Sequence, residues 1–124
     1  MSAVRWIGLW GPVAGFMVAL FLVSAQPSPA TAEQVWDKLL HAGAYAVFGF
    51  FCLRATHGGL ARPRPAPILW ALLLTAGYGA FDEWHQSWVP GRHPSVADWV
   101  ADLVGAMIAL ALFLAWARLA PSRK

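Results

Sequence analysis

The chain has 124 residues, of which 59% are hydrophobic and 12% charged, and its formal net charge is +3 at pH 7. Soluble-domain statistics do not fit so apolar a composition, which makes an integral membrane protein the first reading. The basic residues stand in separate short segments without a stacking platform, which excludes a nucleic-acid surface.

A bilayer-spanning helix needs about 20 mostly apolar residues. The first such run covers residues 6–25. Arg5, the apolar run and Val23-Ser24-Ala25 before Gln26 also resemble a secretory signal with a small-residue cleavage site. The run is longer than a usual signal core and Pro27 would hinder processing, so a retained helix is expected. The second span, 36–56, holds the single cysteine, Cys52, which can form no internal disulfide and reads as a small core residue. "ARPRPAP", Ala61 to Pro67, is a stiff connection whose prolines stop one helix and precede the next. The third span, 67–87, is apolar at its start and polar at its end, and the fourth covers 96–119. Short connections imply one domain over residues 1–124, an all-α, four-helix transmembrane antiparallel bundle.

Arg5, then Arg54, Arg62 and Arg64, then Arg118, Arg123 and Lys124 mark the amino terminus, the second connection and the carboxy tail as cytoplasmic. Tryptophans prefer both membrane interfaces, and all eight agree: Trp6, Trp10, Trp70 and Trp116 mark the inner side, Trp36, Trp84, Trp88 and Trp99 the outer.

The remaining charge is gathered at the outer face. "WDKLLHAGAY" opens the second helix there, and "DEWHQSWVPGRHPSVADWVAD" runs from the end of the third helix into the fourth. Asp37, His41 and Tyr45 recur every fourth residue and form one stripe. Tyr78, Asp82 and Gln86 form another, flanked by Glu83 and His85, while Trp84 points away toward lipid. Asp98 and Asp102 form a third, continued by Gly105 and Ala109, and with Ala101 these small residues let a neighbouring helix approach closely. The three stripes should converge on one polar pocket. Acids near one another repel unless a proton, a cation or a basic group intervenes, and His41, Lys38, His85 and Arg92 could supply that compensation.

Structural roles compete with functional ones. Ser95 followed by Asp98 reads equally as a helix cap with an acid in the first turn. Pro90-Gly91 fits a chain reversal. Tyr45 and Tyr78 fit interfacial or core aromatics. His57 and His93 are expected to be solvated. For Asp82, Glu83 and His41 the structural alternative is a salt-bridge network that holds the helices together, set against the default that intramembrane ionisable groups are functional.

At these residues the chain resembles the VanZ-like family of small bacterial membrane proteins, over most of the length from Trp36 to about Leu112. The resemblance rests on Asp37-Lys38 with His41 and Tyr45, on "DEWHQSWVPGR" from Asp82 to Arg92, and on Ser95, Asp98 and the small residues around Gly105. Asp102 departs from it, standing where that family's pattern has asparagine. The resemblance implies a multi-helix protein of the bacterial cytoplasmic membrane. The family's namesake accompanies glycopeptide-antibiotic resistance and is associated with teicoplanin.

The leading functional expectation is an extracytoplasmic polar site that binds, and as an enzyme would process, an amphiphilic cell-envelope molecule such as a lipid-linked precursor or a lipid-tailed glycopeptide. Arg92 and Lys38 would hold an anionic head group. Asp82, Glu83 and His41 would serve as acid, base and proton carrier of a lipid head-group hydrolase or transferase. Asp37, Tyr45, His85, Gln86, Ser95, Asp98 and Asp102 would complete the binding surface. A divalent cation could be held by the carboxylates and histidines, although their spacing matches no established ligand motif, so no metal ligand is assigned. The competing expectation is a non-catalytic accessory protein that docks on a membrane-protein partner or on its own copies. Transport is a third, but acids at only one face leave no polar route across the core.

Overall fold

The computed structural model describes residues 1–26 and 34–121, and the side chains of its second helix from Asp37 onward. Pro27, the Trp36 side chain, Arg123 and Lys124, which entered the processing and orientation arguments, lie outside the described residues. Four helices make up the fold: α1 (Ala3–Ser24), α2 (Gln34–Thr56), α3 (Pro65–Gln86) and α4 (Val96–Leu119). The boundaries fall within three residues of those expected, and α1 and α3 start earlier than their apolar runs do. Ser2 caps α1 by accepting the Arg5 amide at 3.3 Å, and Pro65 opens α3 at a position that needs no donor.

Three helices, α1, α4 and the α2 segment Asp37–Thr56, are long and apolar enough to cross a membrane. α3 has the length, but Asp82, Glu83, His85 and Gln86 lower its average. Three of those four are buried, so the lipid-facing surface of α3 is more apolar than its composition. The same inversion runs through the molecule: Asp82, Glu83, Gln86, Asp98 and Asp102 are buried, while Leu22, Leu40, Leu73, Ile108 and Leu112 are exposed. A water-soluble protein would show the opposite pattern.

α2 and α3 form the middle of the bundle. Each packs on both α1 and α4, whereas α1 and α4 do not pack on each other. The tightest approach joins α2 to α4. A methyl group added to Gly105 would stand 2.8 Å from the Ala46 backbone nitrogen and 3.0 Å from Tyr45 Cβ, and one added to Gly49 would stand 3.1 Å from Ala109 Cβ. The small-residue face of α4 is therefore the contact surface. Phe48, Cys52, Leu53 and Phe113 fill the core behind it.

The chain reversals have local causes. α2 ends in a glycine motif in which Gly59 N–H reaches the Arg54 carbonyl at 2.8 Å and Gly58 N–H reaches that of Ala55 at 3.1 Å, with Gly58 at φ 74°. The Pro90-Gly91 reversal forms as expected, Arg92 N–H bonding the Val89 carbonyl at 3.1 Å with Gly91 at φ 80°.

Pro12 lies inside α1 and has no N–H for the carbonyl of Gly8. The Arg54 guanidinium supplies the missing donor, bonding the Gly8 oxygen at 2.9 Å. In a bilayer an unmet backbone carbonyl is costly, so Arg54→Ala is expected to destabilise by about 1–3 kcal/mol. The loss should shrink in a Pro12→Ala background, where the α1 backbone supplies its own donor. Unfolding of the two single variants and the double variant in detergent checks this coupling.

His57 departs from expectation. It is buried, bonds the Leu53 carbonyl through Nδ1 at 2.7 Å, and accepts the Arg64 amide through Nε2 at 3.2 Å. Its ring lies 4.7 Å from that of Phe113. The reversal at Gly58 and Gly59 turns the α2–α3 connection back over it, which residue spacing alone does not reveal.

Candidate functional site

The three polar stripes meet at the end of the bundle where α1 and α3 finish and α2 and α4 begin. Four hydrogen bonds join them. His41 Nδ1 on α2 lies 2.8 Å from Asp102 Oδ1 on α4, and Lys38 Nζ lies 3.0 Å from Asp98 Oδ1. Tyr45 donates its hydroxyl to Asp82 Oδ2 on α3 at 3.3 Å. Glu83 Oε2 accepts the backbone N–H of Ser95 at 3.1 Å. Ser95 in turn caps α4 by accepting the Asp98 amide at 3.0 Å. The capping role of Ser95 is thus present, and Asp98 combines it with an ion pair.

Burial is graded across the cluster. The Lys38 side chain is 41% exposed and that of Asp37 34%; that of His41 is 11% exposed, and that of Asp102 is sealed. His41 therefore stands between an open rim and a closed floor. Its Nε2 lies 3.9 Å from Asp37 Oδ2 on the rim side. A buried carboxylate behind an imidazole fixes the ring and favours the tautomer whose other nitrogen faces outward.

The floor is incompletely paired. Asp82 Oδ1, Glu83 Oε1 and Asp102 Oδ2 are buried with no hydrogen-bond partner among the described residues. Two groups of ligand-type side chains have their atoms within 4.8 Å of one another: Asp37, His41 and Asp98 near the rim, and His41, Glu83 and Asp102 below it.

Arg92 and His85 do not join this cluster. The Arg92 guanidinium bonds the Gln26 carbonyl through Nε at 2.7 Å and the Val23 carbonyl through Nη2 at 3.0 Å. Val23 lies in the last turn of α1 and Gln26 two residues past its end, where a cation meets the negative end of the helix dipole. His85 Nδ1 lies 2.9 Å from Ser24 Oγ, and its ring stacks on Phe21 at 4.1 Å. Tyr78 donates to the carbonyl of Met17. Together these residues fasten α1 to α3. Gln86 is buried, and Trp84 points outward as expected, 59% exposed. Trp99 is half-buried and donates its indole N–H to the Ala76 carbonyl at 3.1 Å.

The fastening predicts a local effect. Arg92→Ala should remove the side-chain donor from the Gln26 carbonyl and leave the Val23 carbonyl with only the Gln26 amide, loosening the end of α1, which limited proteolysis of the detergent-solubilised protein would detect as faster cleavage after Val23.

Two residues that sequence reasoning missed shape the site. Gly79 makes room for Asp102, since a methyl group there would sit 3.2 Å from Asp102 Oδ2 and 3.3 Å from its Cβ. Its signal is present in the sequence: Thr75, Gly79, Glu83 and Gln86 share one buried face of α3. Ser24 reads as part of a cleavage site and in fact meets His85. No short-range pattern links residues 61 positions apart.

Two open surface depressions lie at the opposite end of the bundle. One is bordered by Trp10, Thr56, Arg64 and Trp70, among others, and the other by Arg5, Arg54, Arg62 and Arg118. The acidic end and the arginine end are thus separated by the length of the helices.

The family model described as VanZ/LLP1 matches residues 15–118. Its match runs from the middle of α1 to the last turn of α4 and includes every residue of the polar cluster. The chain belongs to the VanZ/LLP1 family. No curated protein matches it, and no solved structure does.

Proposed function

We propose that this VanZ/LLP1 family membrane protein uses the end of the bundle around His41 to bind the polar head of an amphiphilic cell-envelope molecule and to move a proton during head-group hydrolysis or transfer. The observation that carries the reading is the graded set of Lys38, Asp37, His41 and Asp102. An exposed cation and carboxylate stand at the rim, an oriented imidazole behind them, and a sealed carboxylate behind the imidazole. Such a gradient suits a ligand whose head reaches inward while its tail stays in lipid. A lipid-linked precursor and a lipid-tailed glycopeptide such as teicoplanin both divide in that way.

Lys38 would pair with an anionic head group, exchanging its contact with Asp98. Arg92, expected to share that task, is engaged at α1, so Lys38 carries it alone. His41 would accept a proton from the attacking water or hydroxyl and return it to the leaving oxygen, with Asp102 holding the ring. Asp82 and Glu83 would receive donors of the head group on their unpaired oxygens. The arginines at the other end favour placing that end, with both termini, in the cytoplasm and the His41 cluster at the extracytoplasmic face.

Retention of undecaprenyl phosphate by the detergent-solubilised protein, read by native mass spectrometry with EDTA present, tests the reading. The wild type should retain one lipid, and Lys38→Ala should weaken retention by about tenfold, the equivalent of one charge-assisted contact of about 1.4 kcal/mol. Equal retention by both would contradict it.

A second reading rests on the hydrogen bonds themselves. Because Lys38–Asp98, His41–Asp102, Tyr45–Asp82 and Ser95–Glu83 tie three helices together, the cluster would also serve as the internal frame of a non-catalytic accessory protein. On that reading the neutral amides at positions 82 and 83 should lower stability, and no product should form from any lipid.

A further inference from the structure

We infer that His41, Glu83 and Asp102 form a binding site for one divalent transition-metal ion between α2, α3 and α4. The inference rests on the reading of this cluster as a head-group site, and with an ion on Nδ1 His41 would serve as a ligand in place of the proton carrier.

Geometry comes first. The three side chains present ligand atoms within 4.8 Å of one another. Donor atoms each about 2.1 Å from one ion stand roughly 3.0–3.4 Å apart. The 2.8 Å separation of His41 Nδ1 and Asp102 Oδ1 would need to open by only a few tenths of an ångström. Glu83 would approach from the third helix.

Unmet bonding capacity points the same way. Glu83 is 9% exposed and Asp102 1%, yet Glu83 Oε1 and Asp102 Oδ2 have no partner among the described residues. Buried polar atoms are rarely left so. The bonds these two side chains make come from the Ser95 amide and from His41, and among the described residues no lysine or arginine bonds either of them. Two carboxylates beside one imidazole leave a charge of −2 when the imidazole is neutral, and a divalent ion balances it fully.

Donor chemistry narrows the ion. One imidazole with two carboxylates suits zinc, manganese or iron, whereas calcium and magnesium favour oxygen donors alone. Three protein ligands would leave a position open for water or substrate. The rim group of Asp37, His41 and Asp98 is the weaker candidate, because Lys38 already neutralises Asp98 at 3.0 Å. Gly79 supports the deeper site by giving Asp102 its room. Since the ligands come from three helices, no local spacing motif could announce them.

Cobalt(II) is a direct probe, because its visible absorption reports coordination. Protein stripped with EDTA, freed of chelator and titrated with cobalt should bind one ion per chain with new visible bands. Glu83→Gln and Asp102→Asn should each weaken binding by at least about tenfold, while Asp37→Asn should leave it within about twofold of the wild type. Circular dichroism confirms that the variants retain their helices. If Asp102→Asn fails to fold, Glu83→Gln decides, since its amide oxygen still accepts the Ser95 N–H.

Absence of any cobalt, zinc or manganese site in the wild type would overturn the inference. So would undiminished binding by Glu83→Gln, or binding abolished by Asp37→Asn while Glu83→Gln retains it. The lipid measurement in EDTA separates the two proposals. Lipid retention without a metal site defeats the metal alone, and a metal site without lipid retention supports the metal and defeats the head-group reading.

Discussion

Gly105→Ala is expected to destabilise the bundle by about 1–3 kcal/mol, the cost of overpacking a close contact, and Gly105→Leu by more. The added methyl would stand 2.8 Å from the backbone nitrogen of Ala46 and 3.0 Å from Tyr45 Cβ. The obstacle is mainly helix backbone, which cannot rotate away as a side chain would. α2 and α4 must therefore separate. Their separation would lengthen both bonds that join these helices at the polar end, His41–Asp102 and Lys38–Asp98. The variant should accordingly lose lipid retention along with stability. Thermal unfolding in detergent beside native mass spectrometry reads both effects. Gly77→Ala, whose added methyl would meet nothing within 4 Å, is the matched control and should change neither.

The second large effect concerns the His41–Asp102 pair. His41→Leu leaves a fully sealed carboxylate without its donor, and breaking a buried pair by removing one partner costs about 3–5 kcal/mol. The double variant His41→Leu/Asp102→Leu removes the orphaned charge as well and should recover most of that loss. Unfolding of the two singles and the double in chelator-treated detergent solution gives the coupling energy between the two sites. A double variant no more stable than His41→Leu would mean that Asp102 carries no charge in need of a partner.

Much of this arrangement is legible in the sequence, because it follows from helical periodicity. The apolar runs locate the helices, and the fourfold spacing of Asp37, His41 and Tyr45, of Tyr78, Asp82 and Gln86, and of Asp98 and Asp102 places each set on one face. Gly105 and its small neighbours indicate which face of α4 is approached. Pairing across helices is a different matter, for periodicity fixes a face but not a height or an angular position relative to another helix. Arg92 shows the difference. It sits beside the acids in sequence, yet the Pro90-Gly91 reversal turns it toward α1, 66 and 69 residues away. Arg54 carries the same lesson, because its partner exists only where Pro12 has freed the Gly8 carbonyl. His57 looked like a connection residue until the returning chain covered it.

Asp102 is the informative exception. It adds a further acid to an already acidic cluster. It is the sealed partner of His41 and, on the metal inference, the ligand that α4 supplies. Its neighbours explain how it is tolerated: Gly79 gives it space, and His41 bonds one of its two oxygens.

The central claim is that Asp82 and Glu83 are held together for a ligand and not for stability. Thermal unfolding of Asp82→Asn and Glu83→Gln beside the wild type, all freed of metal by EDTA, tests it most directly. Each amide keeps an oxygen for the bond now made, from Tyr45 to Asp82 and from Ser95 to Glu83, while the charge that repels its neighbours is removed. Acids retained for function at a cost in stability should give variants as stable as the wild type or more stable by about 0.5–2 kcal/mol. A clear loss of stability in both variants would contradict the account and identify the acids as part of the frame.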